Sequence, residues 1–303
     1  MSQAILKTSL NMQSCEPYEG TVQADSIHSN ALHIMGFEFD GTACFRKGTV
    51  AGPNACRAVS DGIESYSPYL NRDFEDTSTI YDLGNLQALT NEGEQDWQRA
   101  TDHFLTLFSN IDLVTHNVRT LLIGGEHSVS YAPIKRYLET YPDLVLLHLD
   151  AHADLRDGYL GHHHSHASII RRALDHFEDG HRLIQYGIRS GTKEEYQWMR
   201  QEKTLCTSRQ EFLQRVRDLP NDRPIYLTLD LDYFDPSFFP GTGTPEPGGE
   251  DFHSFISLIK ILEHKNFVGA DVVELSPSID PTGNSDVFAA KVLREIMLLL
   301  GAL

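Results

Sequence analysis

Residues 145–154 read VLLHLDAHAD, so the apolar residues Val145, Leu146, Leu147 and Leu149, broken only by His148, run straight into Asp150, His152 and Asp154. Such a run predicts a strand covered on both faces, as in a parallel sheet. Side chains alternate along extended chain, so Asp150, His152 and Asp154 are expected on one side and Ala151 and Ala153 on the other. Two carboxylates and an imidazole aimed at one point suggest a metal ion. Taken alone, the stretch also fits a polar strand end leading into a solvated loop.

Similar apolar runs recur outward from it: LHIMGF from Leu32, TLLIGG from Thr120, RLIQYGI from Arg182, IYLTLDLD from Ile225 and GADVVEL from Gly269. With LVLLHL from Leu144 they are the predicted strands. Helical periodicity fills the gaps: a helix opened by Pro53, a long one over 96–118, one capped by Ser128, and others near 168–177, 211–219, 254–263 and 287–300. Strand alternating with helix implies an α/β fold, a single-domain, open, mostly parallel β-sheet with helices on both faces. Ligands of such sheets bind beyond the carboxyl ends of the strands. No repeat or linker divides the chain. Residues 1–30, polar and irregular, read as an N-terminal arm, and 31–303 as one catalytic domain.

The 303 residues carry 25 Lys plus Arg against 43 Asp plus Glu, a formal charge of −18. That balance argues against nucleic acid or an anionic membrane as partner and favours a small cationic substrate. Cys15, Cys44, Cys56 and Cys206 form no CxxC pair and are too sparse for a disulfide framework, which fits a reducing cytoplasm. The first residues lack an apolar signal core, and no apolar run reaches the ~18 residues of a membrane span, so a soluble cytoplasmic protein is expected.

Two more strand ends carry chemistry. After TLLI comes Gly124-Gly125-Glu126-His127-Ser128, where the glycine pair lets backbone approach a site closely. After IYLT comes Asp230-Leu231-Asp232-Tyr233-Phe234, a carboxylate pair interleaved with apolar residues that point to burial. Burying ionised carboxylates without a counter-charge costs several kcal/mol each, so the pair needs a cation. His127, Asp150, His152, Asp154, Asp230 and Asp232 exceed what one catalytic ion uses; two divalent ions would use them all. Carboxylates and imidazoles without a thiolate favour Mn²⁺ before Fe²⁺, Ni²⁺ or Zn²⁺.

GGEHS, DAHAD and TLDLDYFDPSFFPGTGTPEPGG resemble the three signature segments of the ureohydrolases, the arginase and agmatinase family. The likeness runs from GFEFDGTACFRKGTVAGP at Gly36 to near the C-terminus. The resemblance implies an arginase-like α/β/α fold, two Mn²⁺ per subunit, hydrolysis of a guanidino compound to urea and an amine, and a homo-oligomer, trimer or hexamer. It implies that His127, Asp150, Asp154 and Asp230 hold one ion and His152, Asp150, Asp230 and Asp232 the other, with Asp150 and Asp230 bridging. Glu274, ending GADVVEL, would pair with the guanidinium through two parallel hydrogen bonds, and Asp154 would also steer the attacking water.

The departing amine needs a proton, a task suited to histidine. Composition leaves His162, His163, His164 and His166 open. Resemblance to the agmatinase-like Ser-His pair ahead of small residues selects His166, and the other three are expected on a mobile loop. Arginases carry Asn- and Ser-bearing loops where this chain has LRDGYLG. DAHADLRDGYLG followed by SHAS resembles the agmatinase branch, with Ala167-Ser168 where many agmatinases have Gly-Thr. Asp157, Tyr159 and Glu246 are candidate partners for a distal ammonium, and Arg156 for a carboxylate. Agmatine, yielding putrescine and urea, is the expected substrate. Guanidinobutyrate, arginine or another guanidino acid is the alternative, as is a non-catalytic metal-binding partner protein of the same fold.

Overall fold

A computed structural model describes residues 3–6, 12–86 and 93–302. In chain order its strands are β1 (Ala4–Leu6), β2 (Val22–Gln23), β3 (Ile27–His28), β4 (Ala31–Phe37), β5 (Ile80–Leu86), β6 (Val118–Gly124), β7 (Val145–Leu149), β8 (Arg182–Tyr186), β9 (Pro224–Asp230) and β10 (Asn266–Val273). The α-helices are α1 (Gly52–Ala58), α2 (Gly93–Ser109), α3 (Tyr131–Thr140), α4 (Ile169–Leu174), α5 (Lys193–Gln201), α6 (Arg209–Asp218), α7 (Phe252–Leu262) and α8 (Asn284–Leu300). β1 and β3 pair antiparallel. The other eight form one sheet in the order β2-β5-β4-β6-β10-β9-β7-β8, parallel throughout. The open parallel sheet read from the sequence is therefore the observed one.

Both faces of the sheet are covered. Along β7, Val145, Leu147 and Leu149 join one core and Leu146 the other; Leu121 and Leu122 of β6 part in the same way. Helices α6, α7 and α8 pack into the first core, and α2, α3 and α4 into the second. That division explains why the strands read as continuous apolar runs. Within the segment read as an arm, β2 extends the sheet edge, and the buried Tyr18 donates its hydroxyl to the Ala290 carbonyl at 2.7 Å.

Three differences from the predicted elements have local causes. β5, IYDLGNL, was hidden by its polar residues, yet it is buried throughout because Arg57 satisfies them. The guanidinium donates to Asp82 Oδ2 at 2.8 Å, Asp82 Oδ1 at 2.9 Å and Asn85 Oδ1 at 2.6 Å. The polar helix α5 was also missed; a capping box between Thr192 and Glu195 starts it. The long helix over 96–118 ends at Ser109, because Asp112 accepts the backbone N–H groups of Val114 and Thr115 in a turn that leads into β6.

The strand order positions the site. From β6 the chain skips two places to β7, and β9 and β10 later fill the gap, so β6, β10, β9 and β7 lie side by side. All four reach their carboxyl ends at the same edge, where ligands of such sheets bind.

Candidate metal centre and active-site pocket

β6 and β7 end before their chemical residues, and β9 ends on Asp230. β7 stops at Leu149 and β9 at Asp230, so the alternation expected to continue through 150–154 does not. The carboxylates converge because the backbone turns. Asp150 Oδ1 accepts the His152 N–H at 2.6 Å, and Asp230 Oδ1 accepts the Asp232 N–H at 2.8 Å, the Asx geometry that an i, i+2 spacing permits. Asp232 Oδ1 accepts the Ala151 N–H at 3.0 Å across the two loops. One oxygen of each carboxylate is thereby tied to backbone while the other turns inward.

His127 opens the turn after β6, and its Nδ1 lies 3.0 Å from Asp150 Oδ2, 3.2 Å from Asp154 Oδ2 and 3.3 Å from Asp230 Oδ2. This nitrogen is buried without a hydrogen-bond partner, although three acceptor oxygens surround it. A cation among them resolves the conflict. Beside it, His152 Nδ1 lies 2.9 Å from Asp232 Oδ2 and 3.6 Å from Asp150 Oδ1. Two groups with metal-holding geometry share Asp150: His127, His148, Asp150 and Asp154 in one, Asp150, His152 and Asp232 in the other.

His127 is prepared for this by groups that sequence reasoning missed. Its Nε2 lies 2.9 Å from Thr228 Oγ1, which donates its only proton to Asp271 Oδ1 at 2.7 Å. The Thr228 oxygen must therefore accept from Nε2–H, which leaves the Nδ1 lone pair for a ligand. Asp271 also accepts from Ser130 Oγ at 2.7 Å and the Tyr226 hydroxyl at 2.9 Å. An aspartate inside the apolar strand GADVVEL was the signal available. His148 has a comparable task. Gln185, oriented by the Ala153 carbonyl, donates to its Nδ1 at 3.1 Å, so its Nε2–H is directed to Asp150 Oδ2 at 2.8 Å.

The electrostatics call for positive charge. Burial, then the neighbouring Asp150 carboxylate, pushes Asp154 up to about 6. Burial, then Asp232 and Asp150, raises Asp230 well above the usual range, and burial, then Glu126, does the same to Glu274. So many buried carboxylates ionise together only if a cation offsets them.

Two residues of the site have left-handed backbone. Asp154 and Glu274 adopt φ of 53° and 68°, left-handed values unusual for side-chain-bearing residues. Glu274 is held by its N–H on the Gly125 carbonyl at 2.8 Å and by its Oε1 on the His127 N–H at 2.8 Å. Gly125 is required there, since a Cβ would stand 2.0 Å from the Phe39 carbonyl oxygen.

Above these residues lies a pocket of about 230 Å³ lined by His127, His152, Asp154, Asp230, Glu274, His166, Arg156 and Tyr159. Asp150 and Asp232 lie buried beneath it. His166 is pushed down to about 4, by burial first and then by His152 and His127. The Arg156 guanidinium stands 4.6 Å over the Tyr159 ring, which meets the His166 ring edge-on at 5.9 Å. Asp157 turns away to pair with Arg172 at 2.5 Å and is not among the lining residues. Glu246 is also not among the lining residues, although its carboxylate lies 3.9 Å from His152 Nε2. Glu195, missed from sequence, lines the pocket while its carboxylate accepts the Leu155 N–H at 3.0 Å and the Thr192 N–H at 2.7 Å. The 162–164 histidines, expected on a mobile loop, are packed in part: His164 stacks on Trp97 at 4.5 Å and meets Tyr131 at 4.9 Å.

Among the described residues no helix is long and apolar enough to cross a membrane. Residues 30–299 match the arginase family. An agmatinase of Bacillus cereus is 35% identical over 295 residues, covering 95% of this chain and 99% of its own. A guanidinobutyrase of Pseudomonas aeruginosa is 29% identical, covering 88% of this chain and 85% of its own. The crystal structure of an agmatine ureohydrolase of Thermoplasma volcanium is similar with a TM-score of 0.76 and 29% identity, covering 88% of this chain and 89% of that one.

Proposed function

The chain belongs to the arginase family and is an agmatinase-like ureohydrolase, and on that premise we propose that it hydrolyses agmatine to putrescine and urea with two Mn²⁺ ions per subunit. The observation that carries the metal reading is the buried, partnerless Nδ1 of His127 among three carboxylate oxygens. His127, Asp150, Asp154 and Asp230 would hold one ion and His152, Asp150, Asp230 and Asp232 the other. An oxygen-rich donor set without thiolate suits Mn²⁺. When bound, the ions supply charge that lowers the pKa of water and makes it a nucleophile near neutral pH.

The chain's own residues do the rest. Glu274 receives the guanidinium through charge-assisted hydrogen bonds and fixes its carbon over the carboxylate cluster. Asp154 orients the attacking water. His166, neutral at pH 7, takes the proton that water loses and returns it to the departing amine nitrogen. At the far end, the Glu195 carboxylate favours the distal ammonium of agmatine, while Arg156 would serve a carboxylate such as that of guanidinobutyrate. The agmatinase relatives and the acidity of the chain support agmatine. The same reading holds 31–303 as the catalytic domain behind a short arm, in a cytoplasmic trimer or hexamer. The test is urea release by Mn²⁺-loaded protein with agmatine, guanidinobutyrate and arginine. Agmatine should give the highest kcat/KM, with arginine at least ~10-fold worse because its carboxylate would be brought towards the Glu195 carboxylate that favours the ammonium. A guanidinobutyrate preference that Arg156→Ala reverses would overturn the choice of agmatine and leave the ureohydrolase standing.

A further inference from the structure

A second hydrogen-bonded chain runs from His166 into the core. Thr42, 5% exposed, lies in the loop after β4. Its hydroxyl is 2.5 Å from Glu126 Oε1 and its backbone N–H 2.7 Å from Glu126 Oε2. Ser128 Oγ adds a third donor to the same carboxylate at 2.5 Å. Glu126 is fully buried, and no Lys or Arg among the described residues pairs with it. With three donors converging on its two oxygens, the single Thr42 hydroxyl proton points at Glu126.

The Thr42 oxygen is then left only as an acceptor. It receives the His166 backbone N–H at 3.1 Å and lies 3.2 Å from His166 Nδ1. That second contact is a hydrogen bond only when Nδ1 carries a proton. Ser165 Oγ, 3.3 Å from the same nitrogen, already accepts the Ala167 N–H and can either accept from Nδ1–H or donate to a bare Nδ1, so the Thr42 oxygen, which can only accept, is the neighbour that discriminates between the tautomers. The ring is thus gripped through Nδ1 while its edge lines the pocket.

We propose that Thr42 and Glu126 are positioning residues that fix the Nδ1–H tautomer and the ring orientation of His166, so that Nε2 faces the reacting atoms. Nε2 takes up the proton that water loses on attacking the guanidinium carbon and delivers it to the amine nitrogen as the C–N bond breaks. Nδ1–H is retained throughout, so no proton is gained or lost over the cycle. The inference rests on the reading of His166 as the proton carrier.

The experiment has two independent readouts. In ¹⁵N-histidine-labelled, metal-free protein, long-range ¹H–¹⁵N spectra report the tautomer, with the His166 signals assigned by their absence in His166→Ala. Wild type should show Nδ1–H at His166. Thr42→Val, which removes the acceptor, and Glu126→Gln, whose amide can donate to Thr42 and turn the hydroxyl round, should shift the ring towards Nε2–H. In Mn²⁺-loaded protein, Thr42→Val should lower kcat for urea release by at least about 10-fold, within the range of acid–base catalysis, with metal content unchanged and KM nearly so. Thr42→Ser should restore both tautomer and turnover. Nε2–H at His166 in wild type, or Thr42→Val with an unshifted tautomer and wild-type kcat, overturns the proposal. If His166→Ala itself turns over normally, the proton-carrier reading fails instead, and the spectra still decide whether Thr42 sets the tautomer.

Discussion

Replacing Thr228 by Val removes one hydroxyl from a fully buried position while nearly preserving shape. The consequence follows from the chain His127 Nε2–H to Thr228 Oγ1 to Asp271. Without the hydroxyl, a buried imidazole N–H has no acceptor, which costs about 1–3 kcal/mol. Asp271 keeps two of its donors, Ser130 and Tyr226. The imidazole is no longer held with its Nδ1 lone pair aimed at Asp150, Asp154 and Asp230. Loss of such an orienting partner lowers metal affinity about 10–100-fold, or about 1.4–2.8 kcal/mol at ~1.4 kcal/mol per decade. The assay is competition for Mn²⁺ against a calibrated chelator, with urea unfolding of the metal-free form as a control. Thr228→Ser, which restores the hydroxyl, should bind as wild type does. Thr228→Val with affinity within twofold of wild type, alongside a measurable loss of stability, would reduce the relay to packing and refute the reasoning.

Asp232→Ala should leave the ion beside His127 bound and remove the one beside His152, so elemental analysis after loading should fall from near two metals per chain to near one. Two ions retained would defeat the shared-carboxylate arrangement. Glu274→Gln should reduce kcat/KM for urea release by roughly 10-fold or more through loss of a charge-assisted pair, with metal content unchanged; wild-type kinetics would remove Glu274 from the site. The fully buried His33 is pushed down to about 3 by burial and then by His28, and its Nε2 accepts the His28 N–H at 2.9 Å. Because its folded pKa lies below the ordinary 6.5, the folded state binds fewer protons, so this contribution is complete above about pH 6.5 and lost as pH falls towards 3. Urea unfolding of metal-free His33→Gln between pH 6 and 4 should therefore show a pH slope shallower than wild type by about 1.4 kcal/mol per pH unit. Equal slopes would place that proton elsewhere.

What could be read from the sequence is what local spacing encodes. A continuous apolar run marks a strand buried on both faces, and the polar residues at i, i+2 spacing at the ends of β7 and β9 mark side chains aimed one way. His127, Asp150, His152, Asp154, Asp230 and Asp232 were therefore legible as one cluster of donors that could hold metal, even though turns bring them together where alternation was expected. β5 was not legible, because its aspartate and asparagine look exposed until Arg57, 25 and 28 residues away, is seen to pair with them. Nor were the groups that tune the site: Thr228 and Asp271 are 43 residues apart, and Thr42 and Glu126 are 84 apart. The sequence alone determined which strand ends carry donors. Only the tertiary structure decided that β6, β10, β9 and β7 stand side by side so that those donors meet, because strand order and hydrogen-bond pairing join residues distant in the chain, where spacing carries no information.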